Sequence, residues 1–517
     1  MVPKPPEPAA LPAVAEDSER VECQGFDETA SLASEVDSHL VRGVALDICL
    51  RGWGSTFRSS GSDRGDSYSL SKVTPRISAF LSHDWQTGRL SKTLALLLVF
   101  NSMPAASVSL FTVLLSSGLL ALGWLPGGWP TGCAAAYGTF YLVLFFWQRL
   151  QRLWCSETLV FLDKLCIAQH NDELKRHGIL SLGGFLARSN RLVVLWSPRF
   201  FTRAWCAFEL ACWLKQEERI DSFELVPVAA ALLLCSAHLF LTITCFGWQA
   251  WVYLSNDVGS FGEVKFGQAI LTGFLFILPA WLFVWPVQTY FGIAHTQDLL
   301  KLPYQMRSFS ISASQCACCT LNHVNPETGQ PLICDRQLVF RTLRRWYAKD
   351  PHSESSGDEE HLRCFDTLVR ERLSVHVLRS LGSGTPPFKY IFAMVASTAF
   401  PVLPLYVHLS VRNRGVHWVF IVDYFKVPAL TLFFFWSAMF AWRMGARLPA
   451  TVPRWIAAIL VQFMSLLLIG CFWLPYESVV NSSYRPWAFC VSLSVLWVEV
   501  VILYVPLRCR CRRQGGS

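Results

Sequence analysis

Arg188–Leu214 reads RSNRLVVLWSPRFFTRAWCAFELACWL. Leu192–Trp196 is a continuous apolar run of strand length, and Ser197-Pro198 closes it as a turn. An Arg-bearing connector then leads into an apolar helix with a single carboxylate, Glu209, in the string Trp205-Cys206-Ala207-Phe208-Glu209-Leu210. Working upstream, Ile179–Arg188 reads as a helix and Asp172–Gly178 as a polar stretch closing on Gly. Thr158–Ile167 (TLVFLDKLCI) is strand-like, and so is Arg76–Ser82, which runs into a polar loop, Ser82-His83-Asp84-Trp85. Strand and helix in alternation predict a parallel α/β sheet. Downstream, only Asp221–Val228 offers one more strand before the pattern stops.

Almost everything else is apolar. Of the 517 residues, 52% are hydrophobic and only 16% charged, against about a quarter charged in a soluble globular chain. Thr93–Leu125 and Cys133–Trp147 flank a Gly/Pro/Trp turn and predict a transmembrane hairpin inserted at 93–150, inside the α/β unit. A pair of buried core helices is the alternative for that segment. Further spans are expected near Leu225–Gly247, Phe266–Phe291, Lys389–Leu409, His417–Trp442, Trp455–Leu474 and Trp487–Leu507, about eight in all. The expected fold class is therefore a polytopic α-helical membrane protein with a parallel-sheet α/β domain split between 72–90 and 152–222.

Charge sets the expected orientation. Arg443, Arg447 and Arg454 share one loop, and Arg508, Arg510, Arg512 and Arg513 make a basic tail, so both termini are expected in the cytosol. The sequon Asn481-Ser482-Ser483 falls on the opposite side. Met1 to about Ser38 is Pro-rich and acidic, unlike a signal peptide, and 1–70 is expected to be disordered region and linker, apart from Val41–Leu50, an apolar patch able to pack on a later domain whose type periodicity does not decide. The net charge of +8 comes from Arg at the ends of apolar runs, so a lipid bilayer rather than nucleic acid is the expected partner. The 18 cysteines lie in apolar segments or on cytosolic faces, which argues against a secreted disulfide framework.

Five strings together resemble a Toll/interleukin-1 receptor (TIR) domain. They are Ser78-Ala79-Phe80-Leu81-Ser82-His83, Val160-Phe161-Leu162-Asp163, the Gly178-Ile179 step with Ser189, Val193-Val194-Leu195-Trp196-Ser197-Pro198-Arg199-Phe200, and Trp205-Cys206-x-x-Glu209-Leu210. Phe161–Gln169 is also similar to the Asp-x-x-Cys-Ile-x-Gln string of fungal heterokaryon-incompatibility domains. The arrangement with an inserted hairpin is similar to membrane proteins of dinoflagellate-type algae. The resemblance covers about a quarter of the chain. It departs from the family where the hairpin replaces one helix, and again where the unit ends early.

The resemblance implies a flavodoxin-like sheet and a cytosolic unit that signals or assembles by self-association. In some members it implies NAD⁺ hydrolysis, with the carboxylate that stabilises the oxocarbenium-like state carried over to Glu209. His83, Asp84 and Trp205 are then candidates for binding the dinucleotide, and the segment Cys166–Gly178 for closing the site. The plain alternative for Glu209 is a helix carboxylate paired with Lys215 or Arg203, or partly turned to solvent.

Two other sets of residues are expected to matter. In the segment 296–387, Cys316, Cys318, His323 and Cys334 are zinc-type ligands. The adjacent thiols Cys318 and Cys319 are not expected to share one ion, and free or lipidated cysteines are the alternative. Glu499, with Asp423 and Lys426, is a polar residue inside an expected span. This set motivates a rival class, a channel or transporter with a regulatory α/β unit. His238 and His408 are expected to be satisfied core histidines.

Overall fold

The structure, a computed structural model, describes residues 41–58, 66–168, 172–214, 217–255, 280–324, 334–347, 360–381, 387–412 and 418–465, with isolated positions 329, 467, 494 and 498. Its centre is a six-stranded mixed sheet: β1 (Arg42–Ala45), β2 (Ser71–Val73), β3 (Ala79–His83), β4 (Leu159–Phe161), β5 (Leu192–Trp196) and β6 (Phe223–Pro227). Across the sheet the order is β2-β1-β4-β3-β5-β6. The four strands β4-β3-β5-β6 run parallel, with Phe80 opposite both Phe161 and Leu192, and Val194 opposite Leu225. β1 joins antiparallel on both its sides, with Val44 opposite Val160 and Gly43 opposite Lys72.

This corrects the expectation for the first 70 residues. Residues 42–45, within the apolar patch, are a strand, and β2 begins at Ser71, so part of the first 70 residues borders the sheet. The physical reason lies in β4. With β1 on one side and β3 on the other, β4 is internal, and its Val160 and Phe161 are fully buried. Asp172–Gly178, expected as a polar stretch, is also helical, within Asp172–Leu180.

The helices grow directly out of the sheet. β3 is followed, past a short turn, by Arg89–Ala121, a helix of 33 residues. At 1.5 Å per residue it is about 50 Å long, well over the ~30 Å of a hydrocarbon core. Its two ends are built differently. Near the start Lys92, Thr93, Ala95, Leu96, Leu97 and Leu98 are all buried, whereas farther on Leu110, Phe111, Leu114 and Leu115 are exposed. The first turns therefore serve as the crossover helix of the sheet, and the same rod continues beyond it. Gly128–Gln151 returns alongside, and β6 leads without a linker into Val228–Ser255.

The direction in which these rods leave can be read from contacts. Lys92 Nζ donates to Trp85 O at 3.3 Å, just past the carboxyl end of β3. Two turns on, Phe100 lies under the Arg191 guanidinium at 4.4 Å, at the amino end of β5. Lys389 pairs with Glu224, near the amino end of β6, at 2.9 Å before its helix leaves the sheet. The apolar rods thus extend beyond the amino ends of the parallel strands. The carboxyl ends, with Ser82, His83 and Trp196, face the other way.

Among the described residues, four helices are long and apolar enough to cross a membrane: Arg89–Ala121, Val228–Gly247, Phe388–Arg412 and Val427–Ala446. Gly128–Gln151 has the length, at 24 residues, but not the composition; of the span expected near Trp455–Leu474, residues 466 and 468–474 lie outside the described residues, and the described helix is Arg454–Ser465. The start expected at Leu225 moves to Val228, because Phe223–Pro227 is taken up by β6. Residues 256–279, most of the span expected near Phe266–Phe291, lie outside the described residues, as does the span expected near Trp487–Leu507 apart from positions 494 and 498.

Buried polar pairs join the rods. Gln148 donates to Asn101 Oδ1 at 2.7 Å, and Asn101 donates to Leu144 O at 2.8 Å. His238 sits between Tyr141 Oη at 2.9 Å and Ser397 Oγ at 2.8 Å, linking three helices. His238 is therefore the satisfied core histidine its sequence context suggests. In apolar surroundings such neutral pairs hold helices in register, because separating them leaves unpaired dipoles.

Candidate functional site

Two clusters of chemistry-bearing side chains lie at the carboxyl ends of the parallel strands. The first collects around Glu209. β3 and β5 are neighbours, and their onward connections diverge, which makes this the switch point of the sheet, where a parallel α/β fold is expected to form a crevice. Ala204–Leu214 lies against this end. It is apolar almost throughout, with Phe208, Leu210, Ala211 and Trp213 buried, so helix rotation is dictated by burial and Glu209 is turned inward.

There its carboxyl is hydrogen-bonded to Ser82 Oγ of β3. Glu209 keeps some contact with solvent while protein crowds it closely. Burial pushes the carboxyl up to about 8; the Ser82 hydrogen bond works against this and the Asp163 charge adds to it. At neutral pH the group is therefore largely protonated. Its hydrogen-bond partner among the described residues is Ser82 and not Arg203; Lys215 lies outside the described residues.

The rest of the crevice surrounds this carboxyl. Asp84 is 1% exposed and pairs with Arg199 at 3.1 Å; Ser197 Oγ lies 3.5 Å from the same oxygen. His83 meets Phe57 edge-on at 5.5 Å, and its carbonyl accepts the Cys206 thiol at 3.7 Å. Burial lowers the imidazole's proton affinity, with the Asp163 charge opposing. Cys206 is pushed up by burial and by Glu209, which makes it a weak nucleophile. β4 is shorter than the strand-like stretch Thr158–Ile167: it ends at Phe161, and Asp163, which opens the short helix Asp163–Cys166, accepts the Trp85 indole at 2.8 Å and the Lys164 N–H at 2.7 Å.

Lys92 was not legible as a site residue. Its side chain is fully buried, lies 5.5 Å from the Phe57 ring centre, and is within electrostatic range of Asp84 and Asp163. A lysine one turn into an apolar helix reads as an ordinary basic flank. The available signal was its place, directly after the Ser82–Trp85 loop.

Trp205 goes elsewhere than the crevice. Its indole donates to Asp335 Oδ2 at 3.0 Å and its ring meets Phe208 edge-on at 5.7 Å. In the segment expected to close the site, Gly178 packs so tightly on Ile167 that a Cβ there would lie 2.9 Å from Ile167 Cγ2. Residues 169–171 of that segment lie outside the described residues.

The second cluster is formed by cysteines beside the start of the same helix. Cys318, Cys319, His323 and Cys334 bring their ligand atoms within 4.8 Å of one another. Cys319 Sγ lies 3.5 Å from His323 Nε2 and 3.9 Å from Cys334 Sγ. Cys316 Sγ is 3.1 Å from Cys318 Sγ and 3.0 Å from Cys319 Sγ. Cys318 and Cys319, expected not to share an ion, thus reach the same spot. Both clusters contact the Ala204–Leu214 helix: Glu209 is on its inner face, and Ala204 packs against Cys316 and Cys318.

The intramembrane set is placed only in part. Asp423 and Lys426 fall on the helix Trp418–Ala446, where their side chains lie outside the described residues, as does the whole of Glu499.

No family profile, curated protein or solved structure gives a significant match to this chain.

Proposed function

We propose that this is a membrane-anchored signalling or assembly protein whose cytosolic α/β unit is of the flavodoxin-like, TIR type. One observation carries the reading: the Trp-Cys-x-x-Glu-Leu helix brings Glu209 to Ser82 at the carboxyl end of the first parallel strand. The four parallel strands support it, because in chain order they lie second, first, third, fourth, as in flavodoxin-like sheets. The rods extend past the opposite end of the sheet and are joined to it by short turns or, at β6, directly, so the unit is held at a fixed attitude to the bilayer. Copies in one membrane then present the same faces to each other, which lowers the orientational cost of self-association. The termini lie in the cytosol, with the crevice facing away from the membrane towards soluble ligands.

The arrangement around Glu209 favours a second activity, hydrolysis of NAD⁺. The bond from ribose C1′ to the nicotinamide nitrogen breaks, and nicotinamide leaves as a neutral amine with the bonding pair. The ionised Glu209 carboxylate stabilises the oxocarbenium-like centre, water adds to C1′, and its proton passes to solvent. The positive nicotinamide ring, once bound, draws the Glu209 carboxyl towards its ionised form.

The test is NAD⁺ consumption and chemical crosslinking of the full chain in liposomes, at rising protein density and beside Glu209→Gln. Turnover that climbs with density, rises from pH 6 towards pH 8 and is lost in the variant establishes the hydrolase. Crosslinked oligomers without turnover leave the assembly role alone. A monomer at every density, with no turnover, overturns both.

A further inference from the structure

Three thiols and an imidazole converge beside the Glu209 helix, and nothing in the reading above uses them. We propose that Cys318, Cys319, His323 and Cys334 hold one zinc ion, which clasps the second polar segment to the start of the Ala204–Leu214 helix. The proposal does not rest on what Glu209 does.

Donor chemistry selects the metal class. Soft thiolates with an imidazole suit zinc and disfavour magnesium or calcium, which take oxygen ligands. The distances agree. With zinc–sulfur bonds of about 2.3 Å and zinc–nitrogen bonds of about 2.0 Å, tetrahedral edges are about 3.8 Å between sulfurs and about 3.5 Å between sulfur and nitrogen. Cys319 lies 3.9 Å from Cys334 and 3.5 Å from His323. Cys316, at 3.1 and 3.0 Å from its neighbours' sulfurs, is too close to be a further corner and serves as a hydrogen-bonding thiol next to the ligands.

The backbone is shaped to the cluster. Asn322 and His323 adopt φ of 51° and 56°, the left-handed region that non-glycine residues rarely enter. Two such residues in succession cost about 1 kcal/mol or more each and persist where surrounding contacts demand them. The turn is closed by the His323 N–H on Cys318 O at 2.8 Å, which carries the imidazole back over the thiols. The Asp335 N–H points at Cys318 Sγ from 3.3 Å, the kind of outer hydrogen bond that steadies a metal-bound thiolate.

The clasp has a clear object. Ala204 N–H donates to Gln315 O at 3.0 Å and Gln315 N–H to Thr202 O at 2.6 Å, so the chain before the cluster runs along the connector to the Glu209 helix. Asp335, next to the ligand Cys334, accepts the Trp205 indole. The short segment around Ser314–Val324 is rich in small and polar residues, and Thr320–Val324 is exposed, the situation in which a metal supplies folding free energy.

The experiment uses the full chain, purified in detergent without chelator. Elemental analysis is expected to find about one zinc per chain. His323→Ala removes an exposed ligand and leaves the packing intact. Cys334→Ser removes a thiolate. Each is expected to weaken zinc retention by more than about tenfold, the loss typical of outer-shell partners alone. Loading with cobalt is expected to give thiolate-to-cobalt charge-transfer bands that Cys334→Ser abolishes. Chelation is expected to speed amide exchange at 204–207 before it affects β5. Zinc absent after anaerobic reconstitution with the thiols titratable overturns the site. So does full zinc retention in both variants, or a disulfide within 316–334 whose reduction restores no metal uptake.

Discussion

Two buried polar regions of this molecule follow opposite rules. Between the rods, Asn101 meets Gln148, and His238 bridges Tyr141 and Ser397; every partner is neutral and paired in place. At the carboxyl ends of the strands, the groups are ionisable: Glu209, Asp84, His83 and Lys92 share one crevice, and Glu209 is held up at about 8. The first kind of burial fixes the positions of helices. The second keeps a carboxyl out of its ordinary state, and such groups cluster where chemistry or binding occurs.

The contrast can be broken in order of expected effect. The strands and the rods share one continuous hydrophobic core, in which Phe80 stacks on Phe161 at 4.5 Å. Phe80→Ala is expected to cost about 3–5 kcal/mol and to melt both regions together, seen as coincident fluorescence and circular-dichroism transitions. Separate transitions would show that the crevice and the rods are independent units. Next, Gln148→Ala leaves Asn101 partly unpaired and is expected to cost about 2 kcal/mol, while the double change Asn101→Leu, Gln148→Leu is expected to recover most of that. A double variant no better than the single one would show that the pair does more than register helices.

Smaller effects are expected in the crevice. Arg199→Ala strips Asp84 of its ion pair; because Arg199 is half exposed, about 1 kcal/mol is expected. The denaturation midpoint at pH 7 checks this. Last comes Glu209→Gln. The folded-state carboxyl lies above its ordinary value of 4.5, so its contribution is complete at low pH and is lost as pH climbs to about 8. The wild type should therefore lose stability as pH rises from about 4.5 to about 8, and the variant should lose less over that window, with the two curves parallel below it. Equal slopes for both would mean that Glu209 titrates as an exposed carboxyl.

Much of the crevice was legible in the sequence, because its parts are local. The apolar run Leu192–Trp196, the Ser-Pro turn and the helix with one carboxylate each read from adjacent residues, and all form as expected. The loop from Ser82 to Trp85 lies where a strand end was expected. The errors fall where a residue's state depends on something distant. The short strand Arg42–Ala45 has no periodic signal of its own; it exists because β4 offers an antiparallel edge. Trp205 looked like a crevice residue until Asp335, 130 positions away, took its indole.

Composition and periodicity were enough to place this chain among proteins with membrane-length helices around an α/β sheet, since hydropathy over some twenty residues and the alternation of strand and helix are properties of contiguous chain. Folding in three dimensions was needed for what links those pieces. It turned Glu209 onto Ser82, 127 positions distant, buried Lys92 beneath Phe57, and gathered thiols from both ends of a loop against Ala204. Such contacts arise from which apolar faces cover one another, and no local stretch of sequence encodes that choice.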